Sequence, residues 1–180
     1  MKELTLRHHN RDSAAQIRDL LLDIHDECYA DSTDEFDQRE RFAWFVDHWS
    51  SSPGFSCVIG YEGEQAVGYA YGAAAPESRE WWRGTKYQPH NGHRATYHLS
   101  ELMVRPKWRK TGAAQSIHEA LFAERPEHLA ALLVDTEHPK VQALYEGWGY
   151  RKVGEDRPFA DAPLFAVMVR ELYRERAQSA

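Results

Sequence analysis

Residues 99–121, LSELMVRPKWRKTGAAQSIHEAL, read as a buried strand, a sharp loop and an amphipathic helix in immediate succession. Pro106 cannot donate to a sheet ladder, so the strand has to stop near Arg105. Ala114, Ile117 and Leu121 then give the helix a buried stripe. The joint between them is Arg109-Lys110-Thr111-Gly112-Ala113-Ala114, whose small residues let the backbone approach a ligand closely. The first turn of a helix also presents unpaired N–H groups and the positive end of a dipole. Such a junction suits a phosphate or pyrophosphate. Leu129–Asp135 follows as a continuous apolar strand, the pattern of burial on both faces. A strand, a helix and a strand over 97–135 predict a right-handed parallel crossover.

The rest of the chain fits around that unit. Thr5–Arg7 reads as a short first strand, and Ser13-x-x-Gln16 has the pattern of a capping box. Ile17, Leu20, Leu21, Ile24 and Cys28 share one helical face, and Phe42, Phe45, Val46 and Trp49 share another. Phe55–Tyr61 and Ala66–Ala74, joined by Glu62-Gly63-Glu64-Gln65, read as a β-hairpin. Residues 76–92 form a long loop holding Trp81, Trp82 and Tyr87. Arg94–Val104 is the central strand, and Pro139–Trp148 a helix with Val141, Leu144, Tyr145 and Trp148 on one face, stopped at Gly149. Tyr150–Gly154 and Leu164–Glu171 complete the strands, followed by a polar tail from about residue 173. The fold class is α/β (α+β): a mixed central sheet of six to seven strands with helices on both faces, in a single domain over 1–180.

Composition removes several classes. No apolar run reaches the ~20 residues that span a bilayer. The N-terminus, MKELTLRHHNRD, lacks the apolar core of a signal peptide, which predicts a cytoplasmic protein. Cys28 and Cys57 suit neither a disulfide framework nor a metal site, and no metal is expected. A net charge of −6 argues against nucleic acid and anionic membranes as partners. From Asp19 to Glu40 the chain carries nine carboxylates against Arg39. Such a run is usually a solvated face, and it can also attract a cation.

The loop Arg109-x-x-Gly112-x-Ala114, preceded by Val104-x-Pro106, resembles the pyrophosphate loop of the GNAT acyltransferase superfamily. Leu144-Tyr145-Glu146-Gly147-Trp148-Gly149-Tyr150 is similar to that family's second signature, and the element order matches from about Thr5 to Leu172. The resemblance implies a GNAT-type fold, splayed between the strand ending at Val104 and Leu129–Asp135, with acetyl-CoA as co-substrate in the cleft. Backbone groups of Leu102, Met103 and Val104 would pair with pantetheine as another strand would. Amides of Lys110, Thr111, Gly112, Ala113 and Ala114 would hold the pyrophosphate, with charge from Arg109 and Lys110. Two positions depart from the commoner pattern: Lys110 stands where glycine is frequent, and His138 where an asparagine often orients the cofactor. The family often forms homodimers.

The implied reaction is attack of an amine on the acetyl thioester. Tyr145 matches the family's helix tyrosine, which can give its proton to the leaving thiolate; by spacing alone it would be core. Glu101 is the candidate base, because an acid within a buried strand is costly without a task; the alternative is a paired structural carboxylate. His98 and Ser100 lie on the opposite face of that strand. His25, His93 and His118 read as surface or core residues. The acceptor site is expected from Glu35, Trp44, Trp81, Trp82 and Tyr87, since carboxylates beside aromatic faces suit an ammonium. The acceptor classes are an aminoglycoside-like or peptidyl-nucleoside antibiotic (hence antibiotic resistance), a polyamine, or an amino-acid derivative. A protein lysine or N-terminal acetyltransferase is the alternative function, and a non-catalytic CoA-binding module a second.

Overall fold

The computed structural model describes residues 4–160 and 162–172; the polar tail from about 173 lies outside the described residues. The strands are β1 (Thr5–Asn10), β2 (Ser56–Glu62), β3 (Gln65–Ala74), β4 (Thr96–Val104), β5 (Leu129–Asp135), β6 (Arg151–Asp156) and β7 (Phe165–Glu171). The helices are α1 (Ala14–Cys28), α2 (Arg39–Ser50), α3 (Ala113–Phe122) and α4 (Pro139–Gly147). The seven strands form one mixed sheet in the order β1-β2-β3-β4-β5-β7-β6. The chain divides into two compact units: the chain up to Ala73 with Leu99–Arg125, and Ala74–His98 with the chain from Pro126 onward.

In the first unit, β2 and β3 form the expected hairpin, closed between Glu62 and Gln65, with Gly63 at φ 62° in the turn. Each strand buries residues on both faces, because helices cover both. Ile17, Leu21 and Ile24 of α1 and Phe42 and Val46 of α2 pack with Cys57, Ile59, Tyr69 and Tyr71. On the other face a Cβ at Gly60 would meet Ile117 of α3 at 3.0 Å. Salt bridges Arg18–Asp47 (2.6 Å) and Arg39–Asp23 (3.0 Å) join α1 to α2. These spend part of the acidic run on structure.

Three local expectations change. β1 runs on to Asn10, and the capping box lies one turn earlier than Ser13-x-x-Gln16: Asn10 Oδ1 accepts from Asp12 and Ser13 N–H, and Ser13 Oγ accepts from Asn10 N–H. A 3-10 turn over Arg11–Ser13 consumes that cap before α1 begins. In α3 the buried stripe is Ala113, Ile117 and Leu121, with His118 and Phe122 also buried. Ala114 is only half-buried, since the helix starts one residue earlier than the spacing suggested.

In the second unit, β5 runs antiparallel to β7 over its whole length and parallel to β4 at Thr96↔Leu129, Tyr97↔Ala130 and His98↔Ala131. After His98, β4 passes into the first unit. The loop over 76–92 contains 3-10 turns at Trp81–Gly84 and His90–Gly92. In α4, Val141 and Leu144 are exposed at 42% and 47%, so the expected apolar face is not a core face and Tyr145 alone is buried. Gly149 stops the helix at φ 89°.

Candidate active site

The loop after β4 turns on two left-handed residues, Lys110 at φ 63° and Gly112 at φ 88°. Glycine takes that region freely, whereas a lysine is strained there. Gly112 precedes α3 with no side-chain cap, and Ser116 N–H is the first to find a helical acceptor, Gly112 O at 3.1 Å. The amides of Ala113, Ala114 and Gln115 therefore have no partner within the helix. Thr111 Oγ1 donates to Trp108 O at 2.6 Å, and Arg109 Nε to Val104 O at 3.3 Å, so both expected loop residues brace the backbone. Val104 O also accepts from Cys28 Sγ at 3.5 Å and is thus already engaged. Of the three strand residues expected to meet pantetheine, Met103 and Val104 are buried and Leu102 is half-buried. A Cβ at Gly68 would lie 2.4 Å from Met103 O, so only glycine permits this approach of β3 to β4.

Glu101 lies on the same strand. Arg105 N–H donates to Val67 O, and counting back along the strands brings Tyr69 level with Met103. Tyr69 Oη donates to Met103 Sδ at 3.1 Å, as that register requires. Further along, Ala75 N–H donates to Thr96 O; between the two bonds lie eight steps of β3 and nine of β4. β4 thus carries one extra residue, a bulge. Glu101 makes no ion pair or hydrogen bond among the described residues and keeps some exposed surface. Burial pushes its carboxyl up to about 8, helped by repulsion from Asp37. The phenols of Tyr29, Tyr69 and Tyr71 feel its charge: burial first, then the Glu101 charge, holds Tyr29 at about 12, and burial pushes Tyr69 and Tyr71 well above the ordinary phenol value. Sequence reasoning missed this ring of phenols and Asp37. The available signal was Tyr69-x-Tyr71, two tyrosines on one face of a strand beside the acid.

In the second unit Tyr145 is 9% exposed, held edge-on by Trp148 (5.4 Å) and Tyr150 (5.5 Å). His138 is exposed and precedes α4 without a side-chain cap bond. Of the residues expected to line the acceptor site, Trp82 and Tyr87 are buried, packed with Leu129, Ala131, Val167 and Val169. Trp82 Nε1 spends its proton on Thr96 Oγ1 at 2.9 Å. Trp81 is half-buried and stacked on His98. Trp44 is 60% exposed, parallel to His48 at 5.3 Å, and Glu35 is exposed in a 3-10 turn. Among the described residues no group of His, Cys, Asp and Glu is arranged to hold a metal, and no helix is long and apolar enough to cross a membrane.

The sequence itself matches the acetyltransferase (GNAT) family over residues 16–150. The chain belongs to the GNAT acetyltransferase family. No curated protein matches it. Solved GNAT-type structures share its fold at low identity. The aminoglycoside 6'-acetyltransferase type Ii is 18% identical, with 94% of this chain and 98% of that one covered and a TM-score of 0.63. A chimera of the spermidine N-acetyltransferase SpeG from Vibrio cholerae and hSSAT is 14% identical, with 95% and 96% covered and a TM-score of 0.59. The PaiA N-acetyltransferase of Thermoplasma acidophilum, solved with coenzyme A, is 9% identical, with 94% and 99% covered and a TM-score of 0.56. At these identities the likeness extends to the fold alone.

Proposed function

We propose that this GNAT protein moves the acetyl group of acetyl-CoA directly to the primary amine of a small cationic molecule. The observation that carries the reading is Glu101, an acid among phenols with no cation of its own. An ammonium completes such a site, and a carboxyl raised toward neutrality suits a group that must accept a proton. The amides from Lys110 to Ala114 fit a pyrophosphate, because their turns leave N–H groups without helical partners. Bound acetyl-CoA supplies the activated thioester. On this reading Glu101 takes the proton of the attacking nitrogen and Tyr145 gives one at the leaving sulfur. Solved neighbours named for spermidine and aminoglycoside acetylation support a cationic acceptor.

The test is a panel of cationic, neutral and anionic amines, together with a peptide library, assayed with acetyl-CoA. Acetylation of cationic small amines is expected. Turnover restricted to neutral or anionic amines ends this reading, acetylation of peptides alone favours a protein acetyltransferase, and acetyl-CoA binding without turnover favours a non-catalytic module.

A further inference from the structure

β6 closes one end of the sheet: β7 pairs with one side of it and no strand with the other. Among the described residues, no main-chain bond outside the ladder with β7 uses an amide or carbonyl of residues 151–156, so the outer row of backbone groups is open. The strand reads Arg-Lys-Val-Gly-Glu-Asp, two bases, two uncharged residues and two acids. Its four charged residues are exposed and the central two half-buried, a pattern symmetric about the middle. The ladder with β7 skips a residue between Lys152 and Gly154, so Val153 and Gly154 share one rung as a bulge. Both turn to the face covered by the 76–92 loop: Val153 packs with the cluster of Trp82 and Tyr87, and a Cβ at Gly154 would meet Thr85 Cγ2 at 2.6 Å. Arg151 lies over the Tyr87 ring at 5.1 Å on that face, and Asp156 lines a cavity there with Trp81 and Thr85. Alternation puts Lys152 and Glu155 on the opposite face, where they pair at 2.6 Å.

We propose that β6 is the surface through which two copies of this chain pair, edge to edge and antiparallel, about a two-fold axis at Val153 and Gly154. That axis sets Arg151 opposite Asp156 of the partner subunit and Lys152 opposite Glu155 of the partner subunit, each pair on one face of the sheet. Every charged rung then joins opposite signs. The bulge lies on the axis in both copies, so it shifts neither pairing. Charges on an edge strand ordinarily block such docking, because a foreign strand leaves them facing like charges or none. Here a second β6 is the strand that satisfies all four. The other edge strand does not offer this: β1 carries Arg7, His8 and His9 and no acid, so pairing with itself opposes only bases. The antiparallel arrangement also brings the Phe159 end of one copy, with Phe159 46% exposed, beside the Trp148 end of the other. Exposed ion pairs add little affinity, but they fix register and exclude wrong partners. Six residues a side make a small interface, so dissociation is expected at about 10 µM to 1 mM. The inference stands apart from the acetyl-transfer reading.

The experiment is sedimentation equilibrium of the full chain at concentrations up to about 1 mM. Wild type should shift from one copy toward two as concentration rises, and less readily at high salt. Lys152→Glu and Glu155→Lys each oppose like charges twice in the symmetric dimer, and each should raise the dissociation constant about tenfold or more. Mixed one to one, the two variants should form a heterodimer as tight as wild type, since opposite charges face one another across the interface again. The Lys152–Glu155 pair within each chain stays broken in that mixture, so a merely structural role for it cannot produce the recovery. Thermal unfolding checks that both variants fold. Should either fail to fold, Arg151→Asp and Asp156→Arg repeat the test on the other face of the strand. A wild type that stays monomeric at the highest concentration overturns the proposal. So does a dimer that neither reversal weakens, a mixture that stays apart, or a mass beyond two copies, which marks open-ended pairing of β1 with β6.

Discussion

Trp81 and His98 lie face to face, their rings 3.8 Å apart and 2° from parallel, with Trp81 N–H donating to His98 Nε2 at 3.2 Å. Burial pushes His98 down to about 3, with a weak upward pull from Glu80. The folded protein therefore binds fewer protons at this site than the unfolded chain between about pH 6.5 and 3. Stability from His98 is complete above that window and is lost as pH falls through it. Chemical denaturation of wild type and His98→Gln across the window should show a steeper acid loss in wild type. Parallel curves would remove the assignment.

Glu101 titrates in the opposite sense. Its folded-state value of about 8 lies above the ordinary 4.5, so its contribution to stability is complete below 4.5 and lost as pH rises through 8. A base must be ionised, so kcat/KM should climb through pH 8 while stability declines. Glu101→Gln is expected to reduce kcat by about 10²–10⁴-fold and to flatten both profiles. A pH–rate profile of the variant that still bends near 8 would assign that ionisation elsewhere.

Lys110 carries a left-handed strain that a glycine would not. Lys110→Gly should raise unfolding free energy by up to about 1 kcal/mol, the relief of strain offset in part by a more flexible unfolded chain. Lys110→Ala keeps the strain and should gain nothing. Urea unfolding of the pair separates backbone from charge, and KM for acetyl-CoA, expected to rise in both, reports the lost ammonium.

Gly68→Ala drives a methyl group against Met103 O and Val104 Cα, both backbone atoms. Neither can rotate away, so the strands must part. A loss of about 1–3 kcal/mol is expected, read by thermal unfolding, together with weaker acetyl-CoA binding if the edge at Leu102–Val104 holds pantetheine.

Tyr145→Phe removes only a hydroxyl from a ring fixed by Trp148 and Tyr150. A sharp fall in kcat with acetyl-CoA binding retained is expected. Unchanged turnover would return Tyr145 to the core.

The order of elements was readable because period and punctuation agree: Pro106 ends β4, Gly149 ends α4, and Leu129–Asp135 is apolar throughout. The loop at Arg109–Ala114 was legible for the same reason, since small residues before a helix leave few backbone solutions. The acceptor side was not. Trp82 and Tyr87 look alike in sequence whether exposed or buried, and it is packing against β5 and β7 that buries both. Val141 and Leu144 keep helical spacing with no surface to cover.

Neither compact unit is continuous in the chain: Leu99–Arg125, between the two segments of the second unit, belongs to the first. Emergence from the ribosome therefore sets an order. The first unit has all its strands and helices once Arg125 is out. The second must wait for β7, because β5 depends on Phe165–Glu171 for the partner that covers its whole length. Until then Leu129–Asp135 is a hydrophobic strand with an unpaired edge, the segment of the nascent chain most in need of shelter.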